Sequence, residues 1–97
     1  MSAFFIATIK MKNPEKFAEY SKMAGPIVAE FGGEFILRGK AHSVLAGGVD
    51  VNAAGIARFP SAEAITNWYN SDAYQAIVPL REEAAEMTFV VYEEPTA

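Results

Sequence analysis

The sequence predicts a single α+β domain, residues 1–97, in which a four-stranded antiparallel sheet carries its helices on one face. Two stretches near the ends of the chain are apolar on both alternating sides, which is typical of strands covered on both faces. The elements between them run helix, strand, strand and helix pair, each helical segment beginning at a recognisable cap. The ferredoxin-like βαββαβ arrangement is the simplest fold that has this order of elements.

Composition excludes several classes of site. The chain has no Cys and one His, so it offers no disulfide, thiol nucleophile or thiolate metal site, and we expect no metal or cofactor. A net charge of −4 argues against a nucleic-acid partner. The longest apolar run, residues 3–9, is too short to span a membrane and lacks the features of a signal peptide. We therefore expect a cytoplasmic protein.

The first half of the chain is predicted to form a strand and a long helix. Residues 3–9 are rich in β-branched and aromatic side chains, as strands are. Asn13-Pro14-Glu15 has the pattern of a helix start, with a capping side chain, a proline at the first helical position and an acid in the first turn. Gly25-Pro26 predicts a kink or break near Ala24, and Gly32-Gly33 ends the helix. The buried stripe is expected to contain Phe17, Tyr20, Ala24, Val28 and Phe31.

Two strands are expected next. In residues 34–38, alternation places Phe35 and Leu37 on one side and Glu34, Ile36 and Arg38 on the other. A bulge is expected at Arg38-Gly39, with the strand resuming over residues 42–45. Gly47-Gly48 indicates a turn, residues 49–54 are undecided, and residues 53–59 form the third strand, which Pro60 stops.

The last third of the chain predicts a helix pair and a strand. Ser61 caps the first helix of the pair, and Ser71-Asp72 caps the second. Pro79 should kink or split that second helix. Residues 87–92 form the final strand, and residues 93–97 are a tail.

The far side of the sheet predicts the oligomeric state. Two helical elements cover only one face of a sheet, yet the first and last strands are apolar on both. The apolar fraction of 52% is also slightly high for a small domain. A second copy of the same sheet is the simplest cover, so we expect a homodimer packed sheet to sheet.

A set of short motifs recurs in order along nearly the whole chain and resembles the family called domain of unknown function 1330. The motifs are Asn13-Pro14-Glu15, Tyr20, Pro26, Phe31-Gly32-Gly33, Phe35, Arg38-Gly39, Phe59-Pro60-Ser61, Trp68 to Tyr74, and Arg81. The resemblance implies membership of the dimeric α+β barrel superfamily of ferredoxin-like domains, with a cleft between sheet and helices. That superfamily includes cofactor-independent monooxygenases, isomerases and stress-response proteins, and the resemblance assigns no catalytic residue. This chain departs from the pattern at Arg58, because an acidic residue often precedes Phe-Pro.

Arg81 and Arg38 are the first candidates for a site. Arg81 shares a predicted helical face with apolar residues. It either pairs with an acid such as Asp72 or Glu34, or anchors a carboxylate or enolate through its planar guanidinium. Arg38 is expected on the dimer face, as an interface ion pair or a pocket-lining residue.

Three tyrosines and one histidine complete the candidates. Tyr20, Tyr69 and Tyr74 each place a hydroxyl on an apolar helical face. There the hydroxyl either forms a hydrogen bond within the core or acts on a substrate carbonyl. His42 has the side chain best suited to base catalysis near neutrality, although the sequence offers it no acid partner. Trp68 is interpreted as core. Thus Tyr69, Arg81 and His42 are the catalytic candidates, and Tyr20, Arg38, Tyr69, Tyr74 and Arg81 are the ligand-binding ones.

Two functions remain open at this point. The first is a cofactor-independent enzyme or binding protein for a small acidic or aromatic carbonyl compound, held in the cleft. The second is a non-enzymatic binding, regulatory or stress-response dimer whose tyrosines and arginine are structural. A cavity beside Tyr69 and Arg81 would favour the first function.

Overall fold

The computed structural model describes residues 1–95 and confirms the predicted ferredoxin-like α+β fold. The strand order in the sheet is β2-β3-β1-β4, and every neighbouring pair is antiparallel. The last two residues of the predicted tail lie outside the described part of the chain. In chain order the elements are β1 (Ala3–Met11), α1 (Pro14–Glu30), β2 (Glu34–Lys40), β3 (Ala53–Phe59), α2 (Ala62–Tyr69), α3 (Asp72–Ala84) and β4 (Ala85–Glu93).

All three helices begin at the predicted caps. The side chains of Asn13, Ser61 and Ser71 each accept a hydrogen bond from the backbone N–H three residues on, at 3.1 to 3.2 Å. Neither Pro26 nor Pro79 splits its helix, so the expected break near Ala24 is absent. Residues on both sides of Pro26 are buried against the sheet, and this packing holds the helix together across the missing backbone bond.

The predicted side-chain alternation of β2 is wrong beyond Phe35. Phe35 pairs with Ala57, but Leu37 pairs with Ile56 and Arg38 with Gly55, so Ile36 is the extra residue of a β-bulge. Because side chains alternate with a period of two, one extra residue reverses the facing of everything after it. Leu37 therefore lies on the face away from the helices, 65% exposed, and Arg38 lies on the helix-covered face.

The strand expected over residues 42–45 does not form. The ladder between β2 and β3 ends at the pair Lys40–Ala53, and residues 41–52 are an exposed connection. With no neighbouring strand to supply hydrogen bonds, this stretch cannot extend the sheet. The first and last strands of the chain are longer than expected: β1 continues to Met11, and β4 begins at Ala85 and ends at Glu93.

The core lies between the helices and the inner face of the sheet, as the sequence predicts. Trp68 is 2% exposed and stacks on Phe5 with ring centroids 5.1 Å apart. Its ring also lies 4.4 Å from that of Tyr74. Such aromatic pairs add to the energy of apolar burial, so they fix α2 and α3 against β1.

The opposite side of the sheet, called here the open face, is uncovered by any element of residues 1–95 and carries side chains from all four strands. Its large apolar side chains are exposed on the edge strands and half-buried on the two central strands. Polar and charged side chains share this face, among them Thr8, Lys10, Glu34, Arg58 and Glu86. The apolar members are Phe4, Ile6, Leu37, Ile56, Val90 and Tyr92.

Candidate ligand-binding cavities and the tyrosine–arginine network

Four of the predicted site residues form one hydrogen-bonded network. Tyr74 and Arg81 lie seven residues apart on α3, which places them on the same helical face. Arg81 Nη1 donates to the Tyr74 hydroxyl at 3.1 Å and to the Tyr69 hydroxyl at 3.2 Å. The Tyr20 hydroxyl, brought in by α1, lies 2.6 Å from that of Tyr74. Two tyrosine hydroxyls thus converge on Arg81, and the third joins them through Tyr74.

Either hydroxyl can donate in the Tyr20–Tyr74 hydrogen bond. A guanidinium only donates, so the Tyr74 oxygen accepts from Arg81. If Tyr74 donates to Tyr20, the proton of Tyr20 is free to point elsewhere; if Tyr20 donates, the Tyr74 oxygen accepts twice.

Burial and charge shape the electrostatics of this network. Burial raises the pKa of Tyr20, and the neighbouring Tyr74 raises it further. Burial also raises the pKa of Tyr74, against the opposing effect of hydrogen bonds from Tyr20 and Arg81. Burial acts to lower the pKa of Arg81, but its bonds to Tyr69 and Tyr74 outweigh that effect and raise it. Near neutral pH the network consists of neutral hydroxyls around one permanent cation.

The first cavity lies between the sheet and α1 and has a volume of about 370 Å³. Its walls are mostly apolar, with aromatic side chains from β1, α1, α2 and β4. Tyr20 and Ser21 contribute hydroxyls from α1, while the exposed residues Arg38 and Lys40 border it at the end of β2. Because the bulge turns Arg38 inward, its guanidinium lies 4.3 Å from the ring centroid of Phe35.

The second cavity lies between β4 and the helix pair and has a volume of about 350 Å³. Tyr69 and Arg81 line it, as do Thr66 and Asn70 at the end of α2. It shares four apolar or aromatic wall residues with the first cavity: Phe5, Trp68, Met87 and Phe89. The hydrogen-bonded network thus runs from Tyr20 in one cavity, through the enclosed Tyr74, to Arg81 and Tyr69 in the other.

Trp68 contributes a polar group that the sequence analysis treated only as core. Its Nε1 is fully buried and has no hydrogen-bond partner within residues 1–95. Buried N–H groups are nearly always paired, and leaving one unpaired costs about 1–3 kcal/mol. The indole ring borders both cavities, although its Nε1 is itself enclosed. The sequence signal is weak, because any lone Trp on an apolar helical face looks like core.

Several predicted roles change in the structure. Arg81 does not pair with Asp72 or Glu34; its ionic partner is the adjacent Glu82, 3.2 Å from Nη2. The guanidinium is directed toward the tyrosines, and Glu34 belongs to the edge strand at the far side of the sheet. His42 lies in the exposed connection, 3.3 Å from Ser43 Oγ, and borders neither cavity.

Residues 1–95 contain neither a cluster of metal ligands nor a membrane-spanning helix. No group of three or more His, Asp or Glu side chains in this range is arranged to hold a metal ion. No helix formed by these residues combines the length and apolar character needed to cross a bilayer.

The fold and the cavities together define a ferredoxin-like α+β domain with enclosed apolar space beneath its helices. The chain belongs to the family described as domain of unknown function (DUF1330), whose model matches residues 2–95. No curated protein matches it.

Solved structures resemble the chain in fold. A protein of unknown function from Rhodopseudomonas palustris is 20% identical, with a TM-score of 0.79 over 99% of this chain and 84% of that one. SnoaB, a cofactor-independent oxygenase from Streptomyces nogalater, is 10% identical, with a TM-score of 0.73 over 99% and 95% of the two chains. A dimeric protein of unknown function with a ferredoxin-like fold from Bacteroides fragilis is 16% identical, with a TM-score of 0.60 over 96% of each chain.

Proposed function

We propose that this protein binds a small aromatic or acidic carbonyl compound in the first cavity and converts it without a cofactor. The observation that carries the proposal is the position of the Tyr20 hydroxyl, which lines a mostly apolar cavity and is backed by Tyr74 and Arg81. With Tyr74 as the donor to Tyr20, the Tyr20 proton is left for a ligand. A positioned donor in a water-poor cavity stabilises negative charge that develops on a carbonyl oxygen.

Each of the five predicted ligand-binding residues then has a distinct part, whereas His42 has none. Tyr20 donates to the carbonyl oxygen. Tyr74 links Tyr20 to the positive charge of Arg81. Because hydrogen bonds in a chain polarise one another, this link makes the Tyr20 hydroxyl a stronger donor. Tyr69 holds Arg81 in place from the other side. Arg38, at the solvent-facing rim, is placed to receive a carboxylate on an acidic ligand.

The dimensions of the cavity suit such a ligand. Ligand pockets in proteins usually measure about 300–1,000 Å³ and combine apolar walls with a few directed polar groups. A volume of about 370 Å³ accommodates a compound of one or two aromatic rings. The fold of SnoaB supports chemistry without a cofactor in this architecture, and at 10% identity it supports nothing more specific.

Binding without conversion is the second candidate function, and the cavity lining favours it in one respect. Among the described residues, the first cavity is bordered by no His, Asp or Glu that could remove a proton from a substrate. Turnover by this protein therefore depends on a substrate that is activated by hydrogen bonding alone.

A pair of probes tests the first cavity. 2-Acetylnaphthalene carries a carbonyl acceptor, and 2-isopropylnaphthalene has nearly the same shape without one. We expect the wild-type protein to bind the ketone about five- to tenfold more tightly, the worth of one hydrogen bond. In Tyr20→Phe this preference should disappear while the hydrocarbon binds as before. Equal binding of both probes to the wild-type protein would contradict the proposal.

We further propose that the protein is a homodimer in which two open faces pack together. The open face spans all four strands and exposes the large apolar side chains of Leu37, Val90 and Tyr92, which a lone sheet seldom leaves in contact with water. The dimeric relative from Bacteroides fragilis supports this assembly in the same fold.

A further inference from the structure

We infer that the second cavity is a separate binding site for a small carboxylate, anchored by Arg81. The site is independent of the first cavity and stands whether or not a ligand binds there. Arg81 borders the second cavity and is absent from the lining of the first.

Arg81 has donors to spare. A guanidinium carries five N–H groups. Within residues 1–95, Nη1 uses two of them on Tyr69 and Tyr74, and Nη2 uses one on Glu82. The Nε–H and one Nη2–H remain, so Arg81 keeps two donors for a ligand, and two guanidinium N–H groups can bind the two oxygens of a carboxylate.

The charge of Arg81 is also poorly compensated. The residue is only 9% exposed, and two of its three partners are neutral hydroxyls. Its one anionic partner, Glu82, has a side chain that is 66% exposed and makes a single contact. Removing a cation from water is costly unless an anion meets it with good geometry. A carboxylate in the cavity supplies that missing partner.

The remaining walls restrict the ligand. Phe5, Ile65, Met87 and Phe89 surround the space with apolar and aromatic surface, so the part of the ligand beyond its carboxylate is apolar. Thr66, Asn70 and Val91 border the cavity and are exposed, which marks the side from which a ligand enters. A volume of about 350 Å³ suits an aryl or branched alkyl carboxylic acid of one ring.

Benzoate is the probe that tests this site, with benzamide as the neutral compound of the same shape. Trp68 is the only tryptophan, so its indole N–H gives a single cross-peak in a ¹H–¹⁵N spectrum and reports on both cavities. We expect benzoate to bind at least tenfold more tightly than benzamide. An equal affinity for the two compounds would overturn the inference.

Matched variants locate the bound carboxylate. Val91→Trp fills the entrance of the second cavity and leaves the Arg81 residue unchanged, so it should abolish benzoate binding; its additional indole cross-peak is told from that of Trp68 by comparison with the wild-type spectrum. Ala53→Leu intrudes only on the first cavity and should leave it unchanged. The reverse result, with benzoate lost in Ala53→Leu and kept in Val91→Trp, would place the carboxylate in the first cavity and refute this site.

Glu82→Gln provides a test that does not depend on a disruptive change. This substitution removes the competing carboxylate from a largely exposed position, so the fold is retained. Benzoate should then bind about two- to fivefold more tightly, the effect of one exposed ionic contact, and benzamide should be unaffected. Weaker or unchanged benzoate binding in this variant would count against Arg81 as the anchor. None of these outcomes alters the response of Tyr20→Phe to the naphthyl probes, so the two sites fail separately.

Discussion

The hydroxyl oxygens of Tyr20 and Tyr74 lie 2.6 Å apart, although 54 positions separate the two residues in the chain. The bond joins α1 to α3 across the top of the core. Tyr74 also accepts a hydrogen bond from Arg81. Its hydroxyl oxygen therefore contributes both to the packing of α1 against α3 and to the hydrogen-bonded network that reaches the first cavity.

Replacing Tyr74 with Phe should therefore cost stability. The substitution removes two hydrogen bonds and leaves the Tyr20 hydroxyl and one Arg81 N–H without their partner. We expect the free energy of unfolding to fall by about 1–3 kcal/mol, measured by urea denaturation. Tyr92→Phe is the control: its partly exposed ring lies on the open face, and its loss of a hydroxyl should change stability by less than about 0.5 kcal/mol. Similar effects of the two substitutions would show that the network adds nothing beyond apolar packing.

Alkaline pH should destabilise the protein through the same tyrosines. The pKa values of Tyr20 and Tyr74 are raised above the ordinary value of 10.0, chiefly by burial. Above about pH 10 the unfolded state releases these protons while the folded state keeps them, so stability is full below pH 10 and is lost as the pH rises beyond it. Each group should contribute a slope of up to about 1.4 kcal/mol per pH unit.

Absorbance at 295 nm, which follows tyrosinate, checks this expectation. Part of the signal should appear only when the protein unfolds, and Tyr20→Phe should reduce that part and flatten the slope. A smooth titration of all tyrosines near pH 10 in the folded protein would contradict it.

Leu37 offers a test of the proposed dimer. The bulge places this side chain on the open face, 65% exposed, where Leu37→Asp would put a charge into the interface. Sedimentation equilibrium should show a dimer for the wild-type protein at micromolar concentration and a monomer for the variant. Val44→Asp, on the exposed connection, should remain dimeric. If the wild-type protein is a monomer under these conditions, the open face is not a dimer interface.

Two glycines should respond in opposite directions to Ala. A Cβ on Gly33 would lie 2.6 Å from both Phe59 Cζ and Val28 Cγ1, so Gly33→Ala should destabilise the protein by about 1–3 kcal/mol through overpacking. At Gly25, inside α1, a Cβ meets nothing within 4 Å. Gly25→Ala should stabilise it by about 0.5–1 kcal/mol through helix propensity. Thermal unfolding of both variants tests the packing where α1 leads into β2; equal changes would contradict it.

Much of the fold follows from local chemistry in the sequence. The side chains of Asn13, Ser61 and Ser71 each accept a hydrogen bond from the first turn of the helix that follows. The sequence alone therefore identifies the three helix starts, without knowledge of tertiary structure. The bulge at Ile36 is different, because no Gly or Pro marks it, and the register with β3 decides where the extra residue is placed.

The candidate site is predicted less completely, for a similar reason. The sequence identifies Arg81 and the tyrosines as polar exceptions on apolar helical faces. It cannot show that Tyr20 reaches Tyr74, since that contact depends on how α1 and α3 pack together. Nor can it reveal that the expected cleft is two cavities, because the Phe5–Trp68 stack that they share forms only in the assembled core.

The bulge at Ile36 has a consequence for solubility. β2 is an edge strand, and an edge presents unpaired backbone groups that can recruit a strand from another molecule and start aggregation. An extra residue twists the edge and breaks the even spacing that such pairing requires. The bulge thereby makes this edge of the sheet a poor template for the addition of further strands.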